Sequence, residues 1–151
     1  MLQDALTVVA LSGSGITAGV LLAVAISVVP ALAAVSPAQY VRFHQLLGRN
    51  WDPTMPVIVL TSALTSAVLA GIADRGTSQV LFGTGAVLLV GVSGVSHLLN
   101  VPLNRQVKGL DPDTPLPGDW RDPRPQWRRW HLLRTTLALA AALVSALAAV
   151  R

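Results

Sequence analysis

Ser93, His97, Asn100 and Asn104 recur at i, i+4, i+7 and i+11, so on a helix they occupy one face. Pro102 stands among them and leaves the carbonyl of Leu98 without its backbone donor. Further along, Trp127, Trp130, His131 and Arg134 repeat at i, i+3, i+4 and i+7, again one face. These residue types have a definite chemical repertoire. Imidazole titrates near neutrality and serves as a general base or as a metal ligand. Carboxamides and a guanidinium donate hydrogen bonds to a developing oxyanion. Aromatic rings stack on a flat, apolar molecule. The remaining histidine, His44, lies close to Tyr40, Phe43 and Trp51.

The elements that carry these residues are set by charge spacing. Charged residues make up 12% of the 151-residue chain, against about a quarter in a soluble domain. None falls in 5–41, 54–73, 76–104 or 135–150. A membrane-spanning helix takes roughly 20 predominantly apolar residues. The first three gaps are long enough, and Leu132 and Leu133 extend the fourth. The expected fold is therefore all-α, a single integral membrane domain over 1–151, built as a four-transmembrane-helix bundle. Such a chain has no room for a soluble catalytic domain. With no cysteine, disulfides, thiolate nucleophiles and cysteine-held clusters are excluded. Ala31-Leu32-Ala33 resembles a signal-peptidase site, but Met1-Leu2-Gln3-Asp4 has no basic side chain. The apolar run also exceeds the roughly 7–15 residues of a signal core, so the segment reads as a retained span.

Four spans place the N-terminus, the 74–75 turn and the C-terminus on one side, with Arg75 and Arg151. The other side holds Arg42, Arg49, Arg105, Lys108, Arg121, Arg124, Arg128, Arg129 and Arg134. The positive-inside rule assigns that side, with segments 36–53 and 105–131, to the cytoplasm and both termini to the outside. The pI of 11.1 thus reflects topology, and no nucleic-acid partner is expected. All three histidines and all four tryptophans gather on the same side. An interfacial aromatic belt would normally mark both faces, so the one-sidedness points to a pocket.

Along the chain, Gly15 and Gly19 form a small-xxx-small element in the first span, suited to packing within the bundle or to a homo-oligomer. Pro30 favours a kink or stop, Pro37 begins a short amphipathic piece over 37–49, and Asp52-Pro53 reads as a turn. Thr61, Ser62, Thr65 and Ser66 are expected to bond between helices. Asp74-Arg75-Gly76 makes the tight outer turn. Gly83, Gly85, Gly91 and Gly94 thin the third span, expected from about Ser78 to Leu103. The fourth is expected to start near Gln126. The long cytoplasmic loop between helices 3 and 4 carries Asp111, Asp113 and Asp119 without a calcium-loop spacing, and is a candidate lid.

Polar residues at membrane depth usually face a bundle interior or a cavity. His97, Asn100, Asn104, His131 and Arg134 are therefore the candidate catalytic lining of a cavity in the cytoplasmic third. His44, Tyr40, Trp127 and Trp130 are the candidate substrate-binding residues at its mouth. Three alternatives stand beside this. Asn100 and Asn104 would cap a helix end while Arg134 binds carbonyls, a purely structural network. His44, His97 and His131 would ligate a metal or a haem, though no HxxxH or HxxE spacing supports it. The chain would otherwise be a non-enzymatic assembly or transport subunit.

The stretch from Gly19 to Pro30-Ala31-Leu32, the element Asn100-Val101-Pro102-Leu103-Asn104, and Trp127, Trp130 and Arg134 resemble the anthrone-oxygenase-like family of small four-helix membrane proteins. The resemblance covers nearly the whole chain, and Asn-x-Pro-Leu-Asn followed by Trp and Arg is its most specific part. It implies dioxygen-dependent oxidation of a small apolar aromatic or polyketide-like molecule, often in natural-product metabolism. The residues it carries over are Asn100, Asn104, Trp127 and Arg134. The implied chemistry is proton abstraction beside a carbonyl, then attack of the carbanion on dioxygen. His97 is the expected base, with His131 second, and Arg134 and the two asparagine amides would stabilise the oxyanion.

Overall fold

The computed structural model describes residues 1–51 and 53–151; Asp52, half of the turn expected at Asp52-Pro53, lies outside the described residues. Five helices account for most of it: α1 (Leu2–Ala34), α2 (Pro37–Leu47), α3 (Thr54–Ile72), α4 (Gly76–Lys108) and α5 (Arg124–Ala149). All but α2 are long and apolar enough to cross a membrane. Each long helix packs on the next in the chain, and α5 returns to α1, closing a four-helix bundle. Ala138, Ala141, Ser145 and Ala148 give α5 a buried stripe of small side chains. That stripe lets α4 approach, and a Cβ on Gly85 would meet Ser145.

The helices differ in length, and this shapes the bundle. At about 1.5 Å per residue, the 33 residues each of α1 and α4 and the 26 of α5 exceed the roughly 30 Å hydrocarbon core. The 19 residues of α3 only match it. Ala10, Leu69, Ala73, Phe82 and Ala148 tie all four together at one end. The surplus of α1, α4 and α5 therefore emerges at the other end, where α3 stops short. There α2 folds across, with Tyr40 and Val41 packed against Leu32 and Val107.

Local chemistry sets the boundaries of α2. Ser36 and Gln39 form a reciprocal capping box, Pro37 occupies the first turn, and Gly48 ends the helix. α1 ends just before it because Val35 is extended. Arg124 Nη1 donates to the orphan carbonyls of Leu32 (3.1 Å) and Val35 (2.8 Å). The connection 109–123 lies against α2. Gln45 Nε2 donates to the carbonyls of Val107 (3.0 Å) and Leu110 (2.8 Å), and Arg42 pairs with Asp113. It is shorter than the expected 105–131, because α4 runs on to Lys108 and α5 begins at Arg124.

Neither proline breaks its helix. A π turn at Val24–Val28 precedes Pro30, and another at Ser96–Asn100 precedes Pro102. Each turn closes i→i+5, from Val29 N–H to Val24 C=O and from Val101 N–H to Ser96 C=O. The wider turn absorbs the missing donor and gives the ring room.

Two expectations about small and hydroxylated residues change. Ser62 and Thr65 do not bond between helices; they donate to Ile58 and Thr61 carbonyls of their own helix, at 2.7 Å each. A carbonyl one turn back is always within reach of such a hydroxyl. The Gly15 and Gly19 positions are open, so they do not serve close packing within the bundle, whereas Gly13 faces Ser62 so closely that a Cβ would overlap the hydroxyl. Gly13→Ala should therefore lower the thermal midpoint in detergent, by about 1–3 kcal/mol of overpacking. Gly15→Ala should leave it unchanged or raise it, helix propensity adding up to about 1 kcal/mol of stability.

Candidate functional site

Where α3 stops short, a cavity of about 190 Å³ remains. An apolar protein cavity of roughly 150 Å³ already accepts benzene. Its walls come from Leu21 and Val24 of α1, Met55 and Val59 of α3, Val92 and Val101 of α4, and Trp127 of α5. Leu47, Gly48 and Trp51 close it on the α2 side. Its polar lining is Thr17, His44, Ser93, Ser96, His97, Asn104, Lys108 and Arg134.

Asn104 organises the end nearest α2. Its Oδ1 faces Trp127 Nε1 at 2.9 Å and His44 Nε2 at 3.1 Å. An indole N–H only donates, so the shared atom is an acceptor and His44 donates to it as well. Asn104 keeps its NH₂ group for another acceptor. Trp127 is held between two imidazoles: His131 stacks on it at 5.1 Å with 8° between planes, and His44 meets it edge-on at 5.7 Å.

The deeper polar group is Arg134. His131 Nε2 donates to the carbonyl of Leu21, at 3.0 Å, close to where the π turn of α1 shifts the backbone ladder. The other nitrogen of His131 is then an acceptor. It takes Arg134 Nε at 3.1 Å and Nη2 at 2.9 Å, while Arg134 Nη1 donates to Ser96 Oγ at 3.3 Å. With both ring nitrogens committed, His131 is neutral and aims the guanidinium. His97 differs. Its Nδ1 donates to the Ser93 carbonyl at 2.9 Å, which leaves the lone pair on Nε2. His97 lines the cavity.

The structure brings together His44, His97, Asn104, Trp127 and Arg134 of the expected set and leaves the other four behind the wall. Asn100 is fully buried and donates to the Trp127 carbonyl at 3.3 Å. The π turn splits the expected polar stripe: Ser93 and His97 bond to each other, and Asn100 and Asn104 turn towards Trp127. His131 is buried and bonds to Arg134. Tyr40 sits beneath Arg124, 5.3 Å from ring centre to guanidinium. Its phenol is pushed up to about 12, first by burial and then by the Asp122 charge, with Arg124 opposing. Trp130 packs beside Trp127 with Val29 and Leu103 and carries Arg129 over its ring. No residue of 109–123 lines the cavity. Among the described residues no three metal-ligating side chains converge, so His44, His97 and His131 are not brought together as a ligand set.

Ser96 and Lys108 were missed by the sequence reading. Lys108 follows Asn104 at i+4 and His97 at i+11, so the helical spacing would have found it. Ser96 reaches Arg134 from inside the π turn, and no spacing announces that.

Two outcomes follow from this network. Asn104→Ala strands two buried donors and should cost roughly 1–3 kcal/mol, read as a fall in thermal midpoint with altered tryptophan fluorescence. His44 lies below its ordinary 6.5, first through burial and also through the Lys108 charge, while the Asn104 bond opposes both. Below about pH 6.5 the unfolded imidazole binds a proton that the folded one declines, so stability drops as pH falls from 7 to 5. His44→Gln should flatten that slope in a pH series of melting curves.

The family profile described as anthrone oxygenase matches residues 43–144. No curated protein and no solved structure matches the chain. The matched stretch runs from α2 into α5 and carries His44, Ser96, His97, Asn104, Lys108, Trp127 and Arg134. This four-span helical chain belongs to the anthrone oxygenase family.

Proposed function

We propose that the chain is a membrane oxygenase that oxidises a small, flat apolar substrate of aromatic or polyketide-like type with dioxygen, in natural-product metabolism. One observation carries the reading: His97, whose Nδ1 is engaged by the Ser93 carbonyl, and Arg134 line the same largely apolar cavity. His97 Nε2 takes a proton from a CH₂ whose carbanion is conjugated with the substrate carbonyl. Arg134 and the Asn104 NH₂ donate to the enolate oxygen as charge develops there. The carbanion carbon adds dioxygen and becomes a hydroperoxide with the proton returned by His97. Loss of the second C–H proton and cleavage of the O–O bond then release water and leave a new carbonyl. One CH₂ and one O₂ give one C=O and one H₂O. Trp127, fixed between two imidazoles, supplies a rigid wall for a planar ring. By the positive-inside rule, the basic end with the cavity faces the cytoplasm and both termini face outside.

The test is dioxygen uptake by the detergent-purified protein with anthrone as probe. A general base contributes about 10²–10⁴-fold. His97→Gln should therefore lose at least about a hundredfold in rate while keeping its yield and thermal midpoint. His131→Gln should lose folded protein along with activity. Uptake that persists in His97→Gln would remove the base from the scheme.

A further inference from the structure

The cavity carries two cations and, among the described residues, no carboxylate lines it. Arg134 lies deep and, among the described residues, is bonded only to the neutral His131 and Ser96. Its guanidinium belongs to none of the ion pairs among the described residues. Lys108 lies at the other end, on the last turn of α4. Its Cε lies 3.7 Å from where a Gly48 Cβ would stand, and its charge is felt at His44. Ser96, which Arg134 touches, and Lys108 are separated by about 18 Å along α4, at 1.5 Å per residue. Between them the walls are aliphatic side chains and the flat rings of His44, His97, Trp51 and Trp127. Arg134 is a partly buried cation without a counter-charge among the described residues, which is costly, and Lys108 stands exposed at the mouth. This distribution fits a guest with an anionic head at the mouth and a carbonyl that gathers negative charge at Arg134.

We propose that the substrate is an acidic amphiphile: a flat aromatic body with a carboxylate or comparable oxyanion at one end, taken by Lys108, and the reacting carbonyl at the other, taken by Arg134. This rests on reading the cavity as the substrate site, and it adds a specificity role for Lys108. The entrance agrees. Leu47 and Trp51 line the cavity and are also 50% and 42% exposed, so the mouth opens beside the amphipathic α2. Amphiphiles with a charged head gather at that level of a bilayer. Lys108 meets the head group while the ring body slides inward.

The experiment compares two probes on the full chain in uncharged detergent, anthracene-2-carboxylate and 2-hydroxymethylanthracene, by quenching of tryptophan fluorescence. The carboxylate should bind at least about tenfold more tightly, the worth of one charge-assisted contact. Lys108→Met should erase that preference and leave the alcohol's affinity unchanged, and Lys108→Arg should keep it. Arg105→Gln removes an equal charge from the same end of α4, outside the cavity, and should change neither. Equal affinities in the wild type, or equal losses in Lys108→Met and Arg105→Gln, would overturn the proposal. So would displacement of the anthracene acid by dodecanoate as readily as by 2-naphthoate, which would mark a lipid-chain site. None of these readings needs turnover. Binding preference without dioxygen uptake would therefore retire the oxygenase reading alone.

Discussion

The architecture depends on one mismatch of length. α3 has enough residues to cross the hydrocarbon and no more, while its three neighbours run on past it. A bundle of equal helices would fill its own interior with side chains. Here the fourth wall is missing for the last turns, and α2 covers the gap from the side instead of filling it. The cavity, the aromatic lining and the entrance beside α2 all follow from that shortfall. The small-residue stripe of α5 lets α4 pack closely along it.

Within the cavity, hydrogen-bond direction divides the labour among the histidines. A carbonyl or an indole can take only one part in a hydrogen bond, so each such neighbour settles which imidazole nitrogen carries the proton. Leu21 settles His131, Trp127 settles His44 through Asn104, and Ser93 settles His97. Only His131 has both nitrogens engaged, whereas His44 and His97, which both line the cavity, each keep one nitrogen without a hydrogen-bond partner among the described residues. The same logic explains the element Asn100-Val101-Pro102-Leu103-Asn104. Its second asparagine is the shared acceptor, its proline accompanies the π turn, and its first asparagine supports the backbone of α5.

Much of this was legible in the sequence. Charge gaps located the spans, and Pro37 and Gly76 stood at or near element ends for ordinary reasons of capping and turn chemistry. His97, Asn104, Trp127 and Arg134 could be placed at one end of the bundle because helical spacing and charge count do not need tertiary detail. What escaped was phase. A regular 3.6-residue period puts Asn100 with His97, and nothing in composition reveals that the helix widens between them. Tyr40 and Trp130 escaped for a different reason. Aromatic rings near a membrane end are equally suited to a core beneath a basic side chain and to a pocket wall, and only packing distinguishes these.

That phase change has a further meaning for α4. A π turn is one residue of extra chain inserted into an α-helix, worth about 100° of rotation for everything beyond it. α4 is thus two helices joined end to end in different registers. The part up to Val95 is keyed to the bundle interior, and the part after Asn100 is keyed to α2 and Trp127. Closing the π turn by removing a single residue would leave the membrane-crossing packing intact. It would swing Asn104 and Lys108 together away from the cavity, detaching the rim of the site from its floor while every residue of both remained present.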